Sequence, residues 1–170
     1  MKQYKAPWGK PLVIISVGAI ILLVLISLVV VATTTVRIDP PKRWATSPAS
    51  LFPLLVLFGC ALFTIRHYIV TENELLIQRL LWQTRIPLQG LQSAQIDTEA
   101  FRNCIRTFGN GGLFSFTGWY RSKSVGSFRT FATDLRTPVV LRFENRTIVV
   151  TPSEPETFIR QVMTGAQRHR

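Results

Sequence analysis

The sequence predicts a membrane-anchored, mainly β protein: a two-helix transmembrane hairpin followed by a small β domain with a C-terminal capping helix. Three observations carry this. Leu12–Ala32 is a run of 21 residues without a charge. A second apolar run follows at Leu51–Ile65. From Tyr68 onward the apolar residues alternate with period two, in short runs separated by turn residues. The predicted division is therefore residues 1–68 for the tail and helices (about 12–32 and 51–68), 69–165 for the β domain and 166–170 for a frayed tail.

Composition agrees. The 170 residues hold 20 Lys and Arg against 9 Asp and Glu, a net charge of +11, yet 47% are hydrophobic. A disordered basic tail would not be so apolar. With 10 Gly, 10 Pro and 2 Cys, a collagen-like or disulfide-rich chain is excluded. Length excludes a large two-lobed enzyme.

The first run, at about 1.5 Å per residue, reaches roughly 32 Å, enough for a hydrocarbon core of roughly 30 Å. A buried helix of this length would need a polar face, and this one has none. A cleaved signal peptide is the stronger rival, with Lys2, Lys5 and Lys10 as its basic region; the apolar run is too long for that, which favours an uncleaved anchor. The second run is extended by Ser50 as N-cap, Pro53 in the first turn, and Arg66, His67 and Tyr68 at headgroup level, giving roughly 27 Å. A re-entrant or buried helix is the alternative. Asp39-Pro40-Pro41-Lys42 marks the turn between the runs, with Trp44 suited to an interface. Basic residues flank the outer ends of both runs slightly more than the turn, which places both termini and the β domain inside.

In the β domain, Tyr68–Val70 and Leu75–Trp82 read as a hairpin, and Leu91–Ile96 as a half-buried strand. Asp97–Gly112 is irregular, with Gly109-Asn110-Gly111-Gly112 read as a flexible turn rather than an anion-binding loop. Leu113–Phe116 and Ser127–Phe131 are further strand candidates, with Phe114 and Phe116 in the core. Val139–Phe143 and Thr147–Val150 form the clearest hairpin, turning at Asn145. The Asn145-Arg146-Thr147 sequon marks that turn rather than a glycan. Ser153 and Glu156 make a capping box for a final helix with Phe158, Ile159, Val162 and Met163 on one stripe.

The order of hydrophobic hairpin, Tyr68-Ile69-Val70, Leu75 and Ile77, Ile86-Pro87-Leu88, the glycine run at 109–112, and Thr151-Pro152-Ser153-Glu154-Pro155-Glu156 before Phe158-Ile159 resembles the bacterial PH-like (pleckstrin-homology-like) domain membrane proteins. The resemblance covers about Tyr68 to Met163. It implies a seven-stranded bent sheet or partly open barrel capped by the C-terminal helix, in a protein of the bacterial plasma membrane. It implies a non-enzymatic binding or assembly module. Phosphoinositide-binding relatives carry a basic first hairpin loop; here that loop, Thr71-Glu72-Asn73-Glu74, is acidic, so such a pocket is not expected there.

No catalytic set converges: His67 and His169 have no metal-ligand spacing, Asp97 and Glu99 share one turn, and Cys104 lacks a His partner. No cofactor is expected. Charge is the stronger signal. Phe101–Thr133 holds Arg102, Arg106, Arg121, Lys123 and Arg129 with no acidic residue. With Trp119 and Tyr120, expected at a loop tip beside Gly118, these residues form the candidate contact for anionic lipid headgroups or a protein partner. A merely solvated face is the competing reading, and the anchor argues against nucleic acid. A second functional class is an accessory subunit of a membrane transporter or envelope enzyme, with Ser16, Gly18 and Ser27 packing on partner helices.

Overall fold

The computed structural model describes residues 2–37 and 43–167, with side chains except at 34–37 and 43–50. The expected turn at Asp39–Lys42, the Trp44 side chain, the Ser50 side chain and His169 lie outside the described residues.

Alternating strands must bury one face, and here two sheets do so against each other and a helix. The first sheet has the order β1 (Lys2–Lys5), β2 (Ile65–Val70), β3 (Glu74–Arg79) and β4 (Gln83–Pro87), all antiparallel. The second has the order β5 (Leu91–Ile96), β9 (Val139–Phe143), β10 (Thr147–Val150), β8 (Gly126–Ala132), β7 (Phe116–Ser122) and β6 (Ile105–Gly111). Its strands pair antiparallel except β10 with β8, which run parallel. The main core lies between the sheets and α3 (Pro155–Gln167). Leu75, Ile77, Phe131, Leu141 and Val150 meet Phe158 and Val162 there. A second cluster on the other face of the larger sheet joins Tyr120, Phe128, Val140 and Val149. Tyr68 ties the two sheets: its buried hydroxyl donates to the Phe131 carbonyl at 2.7 Å and lies 3.4 Å from the Thr151 hydroxyl.

Two helices leave and return to this domain, α1 (Lys10–Arg37) and α2 (Arg43–Ala61). Among the described residues α1 is the one helix long and apolar enough to cross a membrane; over Lys10–Thr33 its mean hydropathy reaches 3.2. The apolar part of α2, Leu51–Ala61, is shorter. Outward-facing side chains on both helices, among them Ile14, Leu22, Leu28, Phe52, Leu55 and Phe58, are exposed.

Several expectations change. The second helix ends at Ala61 rather than Tyr68, because Ile65–Val70 is taken into β2, where Ile65 and Tyr68 are fully buried. It starts at Arg43, so Pro53 lies inside the helix rather than in its first turn. Lys2–Lys5, read as a basic flank, is a strand paired with β2, in register Tyr4 to Tyr68. Among the described residues ten strands form two sheets, where the resemblance implied a seven-stranded bent sheet or partly open barrel. Part of the region read as irregular, Ile105–Gly111, is the edge strand β6. Leu113–Ser115 is a turn, not a strand; Asn110 Oδ1 accepts from the Leu113 backbone N–H at 3.0 Å and Phe114 has φ +64°. Phe116 is core as expected, but Phe114 lies half-buried edge-on to Trp8.

The cap of α3 is Glu154 rather than Ser153. Its carbonyl takes the first helical bond, from the Phe158 N–H at 3.0 Å, and its carboxylate accepts from the Thr157 hydroxyl at 2.9 Å. The Ser153 N–H is already committed to the Lys5 carbonyl of β1, at 3.0 Å. The helix reaches Gln167 with Ala166 buried, so residues 166 and 167, expected in a frayed tail, belong to α3. Ser16, expected to face a partner helix, packs on its own domain: its hydroxyl donates to the Gly112 carbonyl at 3.2 Å and accepts from the Phe114 N–H at 2.9 Å. Ser27 donates back to the Leu23 carbonyl of its own helix, at 3.0 Å.

Candidate functional site

Strand β3 alternates strictly, and Leu75, Ile77 and Arg79 share its buried phase. The strand therefore ends by carrying a guanidinium into the interior, where Arg79 is 5% exposed. Its Nη1 donates to the Phe63 carbonyl at 3.1 Å, and the guanidinium stacks on the rings of Phe63, Trp82 and Phe131 at 5.4 to 5.8 Å. Its buried Nε has no hydrogen-bond partner. No carboxylate pairs with it; the ion pairs among the described residues are Arg102–Glu99 and Arg136–Asp134. Burial pushes the Arg79 pKa down, and the charge of Arg129 adds to that. A buried cation with no counter-ion is costly unless something anionic compensates it.

Arg79 lines a cavity of about 630 Å³ beneath the end of α2. One wall is Cys60 and Phe63 at the exit of that helix. The β3–β4 turn contributes Trp82. The opposite wall comes from β6, β7 and β8: Arg106, Phe108, Trp119 and Arg129. Gly109 and Gly118 face each other across the β6–β7 ladder, with φ of +115° and +141°. A Cβ on either would strike the backbone of the opposite strand, so glycine is what permits this close approach along the cavity. Arg79 and Arg129 bring two guanidiniums to the space and no acidic residue lines it among the described residues; the guanidinium of Arg106 lies over Gly111 on the Tyr120 face of the sheet.

The rim is apolar. Phe63, Trp82 and Phe108 are all exposed, the last at 76%. Beside it on the same face of the larger sheet, Phe108, Trp119 and Arg129 stand in one cross-strand row, and Ile105 and Arg121 in the next. Aromatic and aliphatic groups thus stand beside arginines on this face, and Cys60 of α2 lines the same cavity.

The residues expected from the sequence divide accordingly. Arg106, Trp119 and Arg129 line the cavity, and Arg121 shares the adjoining face. Lys123 sits in the β7–β8 turn, four residues from Trp119 and so roughly 13 Å along the strand. Arg102 is on the exposed turn before β6, paired with Glu99 at 2.9 Å, and stands apart from the cavity. Tyr120 is corrected: it lies inside β7 rather than at a loop tip, is 6% exposed, and its hydroxyl donates to the Asn110 carbonyl at 2.8 Å. Its ring stacks on Phe128 and cannot meet lipid. Sequence reasoning passed over Arg79, Phe63, Trp82 and Phe108. The signal for Arg79 was a cation at the buried phase of a clean alternation.

Other candidates are occupied structurally. Asp97 accepts from the Glu99 N–H at 3.0 Å. Cys60 and Cys104 are free thiols, and burial pushes the Cys104 pKa up, away from nucleophilic use. Among the described residues no group of His, Cys, Asp and Glu is arranged to hold a metal ion. The acidic β2–β3 turn is closed on itself by Thr71, whose hydroxyl donates to the Glu74 carbonyl at 2.9 Å and accepts from the Glu74 N–H at 3.0 Å. The cavity lies at the other end of β3.

Comparison with known proteins places these elements. Neither a curated protein nor a solved structure matches the chain. The family model described as Bacterial PH domain matches residues 66–165, from the second residue of β2 into the last turn of α3. That span is more than half of the sequence, and it contains both sheets except β1. The chain belongs to the bacterial PH domain family.

Proposed function

We propose that this protein is a two-pass membrane module whose PH domain is held against an anionic leaflet as a binding or assembly platform. One observation carries the topology. β1 and β2 flank the helical hairpin in sequence and are hydrogen-bonded neighbours in one sheet. Both ends of the hairpin therefore lie on one side of any membrane, and the number of crossings between them is even. α1 is long and apolar enough to cross, so α2, roughly 28 Å long for its 19 residues, brings the chain back. Prolines inside α2 are tolerable in such a segment, where packing restores the lost bonds. The buried place of Tyr4 in the folded domain also supports an uncleaved anchor.

The basic flanks favour a cytoplasmic domain. There Ile105, Phe108 and Trp119 would enter the interface, while Arg121 and Arg129 meet anionic headgroups, each worth about 1 kcal/mol near the surface. Reporter fusions test this. The expected result is a cytoplasmic signal at Arg170 and an external signal from an insertion after Pro41. Signals on the same side for both positions refute the two-pass reading; an external Arg170 refutes the orientation.

The accessory-subunit reading keeps one observation. A side chain added at Gly18 would meet nothing within 4 Å, leaving a bare notch on α1 where another helix could pack. Co-purification in mild detergent, lost on Gly18→Leu, would favour it.

A further inference from the structure

We infer that the cavity bounded by Arg79 and Arg129 is a headgroup site for one anionic phospholipid, whose phosphate the two guanidiniums would hold. The inference rests on the membrane reading above and adds a stoichiometric pocket to a docking face.

Two features converge. Arg79 is 5% exposed, lines the cavity, has an Nε without a partner, and has no carboxylate paired with it among the described residues. Arg129 stacks on Phe131 at 4.9 Å and Arg79 on the same ring at 5.7 Å, so two like charges share one aromatic support. The Arg106 guanidinium lies over Gly111 on the Tyr120 face of the sheet, opposite to Arg129, and takes no part. Like charges gathered around a space without an acid repel one another, and an oxyanion between them removes the repulsion. Planar guanidiniums also suit phosphate, which they can grip with paired N–H donors.

The walls choose the source of the phosphate. Cys60 belongs to α2 itself, and Phe63 and Trp82 are exposed rings at the rim. From there an acyl chain would continue over Phe58 and Leu55 on the outer face of α2. A free phosphate would leave those apolar surfaces unused. About 630 Å³ exceeds what a bare phosphate needs and suits a glycerophosphate headgroup with the start of its chains.

The test uses the full chain in a nonionic detergent, followed by tryptophan fluorescence because Trp82 and Trp119 line the cavity. Short-chain phosphatidylglycerol is titrated against short-chain phosphatidylcholine and inorganic phosphate. The expected result is saturable binding of one phosphatidylglycerol per chain, at least about tenfold tighter than phosphatidylcholine. Arg129→Gln, at an exposed position, should weaken it at least about tenfold, as expected for lost charge-assisted bonds. Arg79→Met should abolish it, and if that variant fails to fold Arg129→Gln still decides. Arg106→Gln, on the other face of the sheet, and Arg160→Gln on α3 serve as charge controls and leave binding unchanged. Equal binding of the two lipids, or phosphatidylglycerol binding untouched by Arg129→Gln, overturns the site. Saturation by inorganic phosphate at the same concentration overturns the lipid as its source. The reporter fusions stand apart: a wrong topology changes them and leaves these titrations as they are.

Discussion

Replacing Tyr4 with Ala should unfold this protein at markedly lower temperature, although four residues at the edge of a sheet look dispensable. Tyr4 is the only buried side chain of β1. Its ring lies edge-on to Phe158 with centroids 5.3 Å apart, and its hydroxyl donates to the Thr157 carbonyl at 3.2 Å. A buried aromatic side chain removes about 150–250 Å² from water, which at about 25 cal/mol per Å² is an upper bound of roughly 4–6 kcal/mol. Truncations of buried aromatics to Ala cost about 3–5 kcal/mol, and that range is expected here. For a chain of this size it corresponds to a fall in Tm of roughly 6–20 °C. Tyr4→Phe keeps the ring and loses one hydrogen bond, so about 1 kcal/mol is expected. Gln3→Ala, on the exposed face, should change stability by no more than about 0.5 kcal/mol. The assay is thermal unfolding of the full chain in detergent micelles. A loss below about 1 kcal/mol for Tyr4→Ala would show that β1 is not docked. It would also remove the pairing from which the even number of crossings was deduced.

Two further predictions concern the domain interior. Burial pushes the Tyr68 pKa up to about 12, so the folded state holds that proton where the unfolded chain, at about 10, has lost it. Its contribution is complete below about pH 10 and is lost as pH rises toward 12, an effect on the order of 2–3 kcal/mol. The Tm of the wild type should therefore fall more steeply than that of Tyr68→Phe over this window, and parallel curves would refute the assignment. Gly118→Ala combines φ +141° with a Cβ striking the Phe108 carbonyl and should cost about 2–4 kcal/mol. Gly126→Ala, at φ +80° in open space, should cost only about 1 kcal/mol, and equal losses in unfolding curves would contradict the crowded β6–β7 ladder.

How much of this was legible depended on whether a segment carries its own periodic signal. Val139–Phe143 and Thr147–Val150 coincide with β9 and β10 to the residue, since each is a short apolar run buried on both faces of its sheet and Asn145 marks the turn. The α3 stripe was equally readable, with Phe158 and Val162 fully buried. β6 was not. As an edge strand it exposes five consecutive residues from Ile105 to Gly109, so no face is apolar and no alternation exists to detect. β1 failed for a different reason. Lys-Gln-Tyr-Lys is indistinguishable from a basic flank, and only the non-local neighbours Tyr68 and Phe158 make Tyr4 a core residue. The local charge in Phe101–Thr133 located one wall of the candidate site through Arg106 and Arg129. The other wall comes from Phe63, Arg79 and Trp82, which no segment-by-segment charge count would join to it.

The depth of that cavity is fixed by how the helices are footed. The Phe63 carbonyl, just past α2, accepts from Arg79 Nη1 of the first sheet and from the Ser115 hydroxyl before β7, each at 3.1 Å. At the foot of α1, the Gly9 N–H donates to the Thr133 carbonyl at 2.9 Å, and Ser16 is bonded to the 112–114 turn. Only Leu62–Thr64 separates α2 from β2, a reach of at most about 10 Å even if extended. A headgroup layer is roughly 5–8 Å thick on each side of the hydrocarbon. If Ala61 ends the crossing, the cavity, which begins at Cys60 and closes over Arg79, occupies that layer without any movement of the domain. A domain on a loose tether would have to be oriented by the lipid it binds, at an entropic cost. Here the clamps at Phe63 and Ser16 fix the helices on the domain, so on the two-pass reading proposed above the arginines would meet the headgroup layer as soon as the hairpin is inserted.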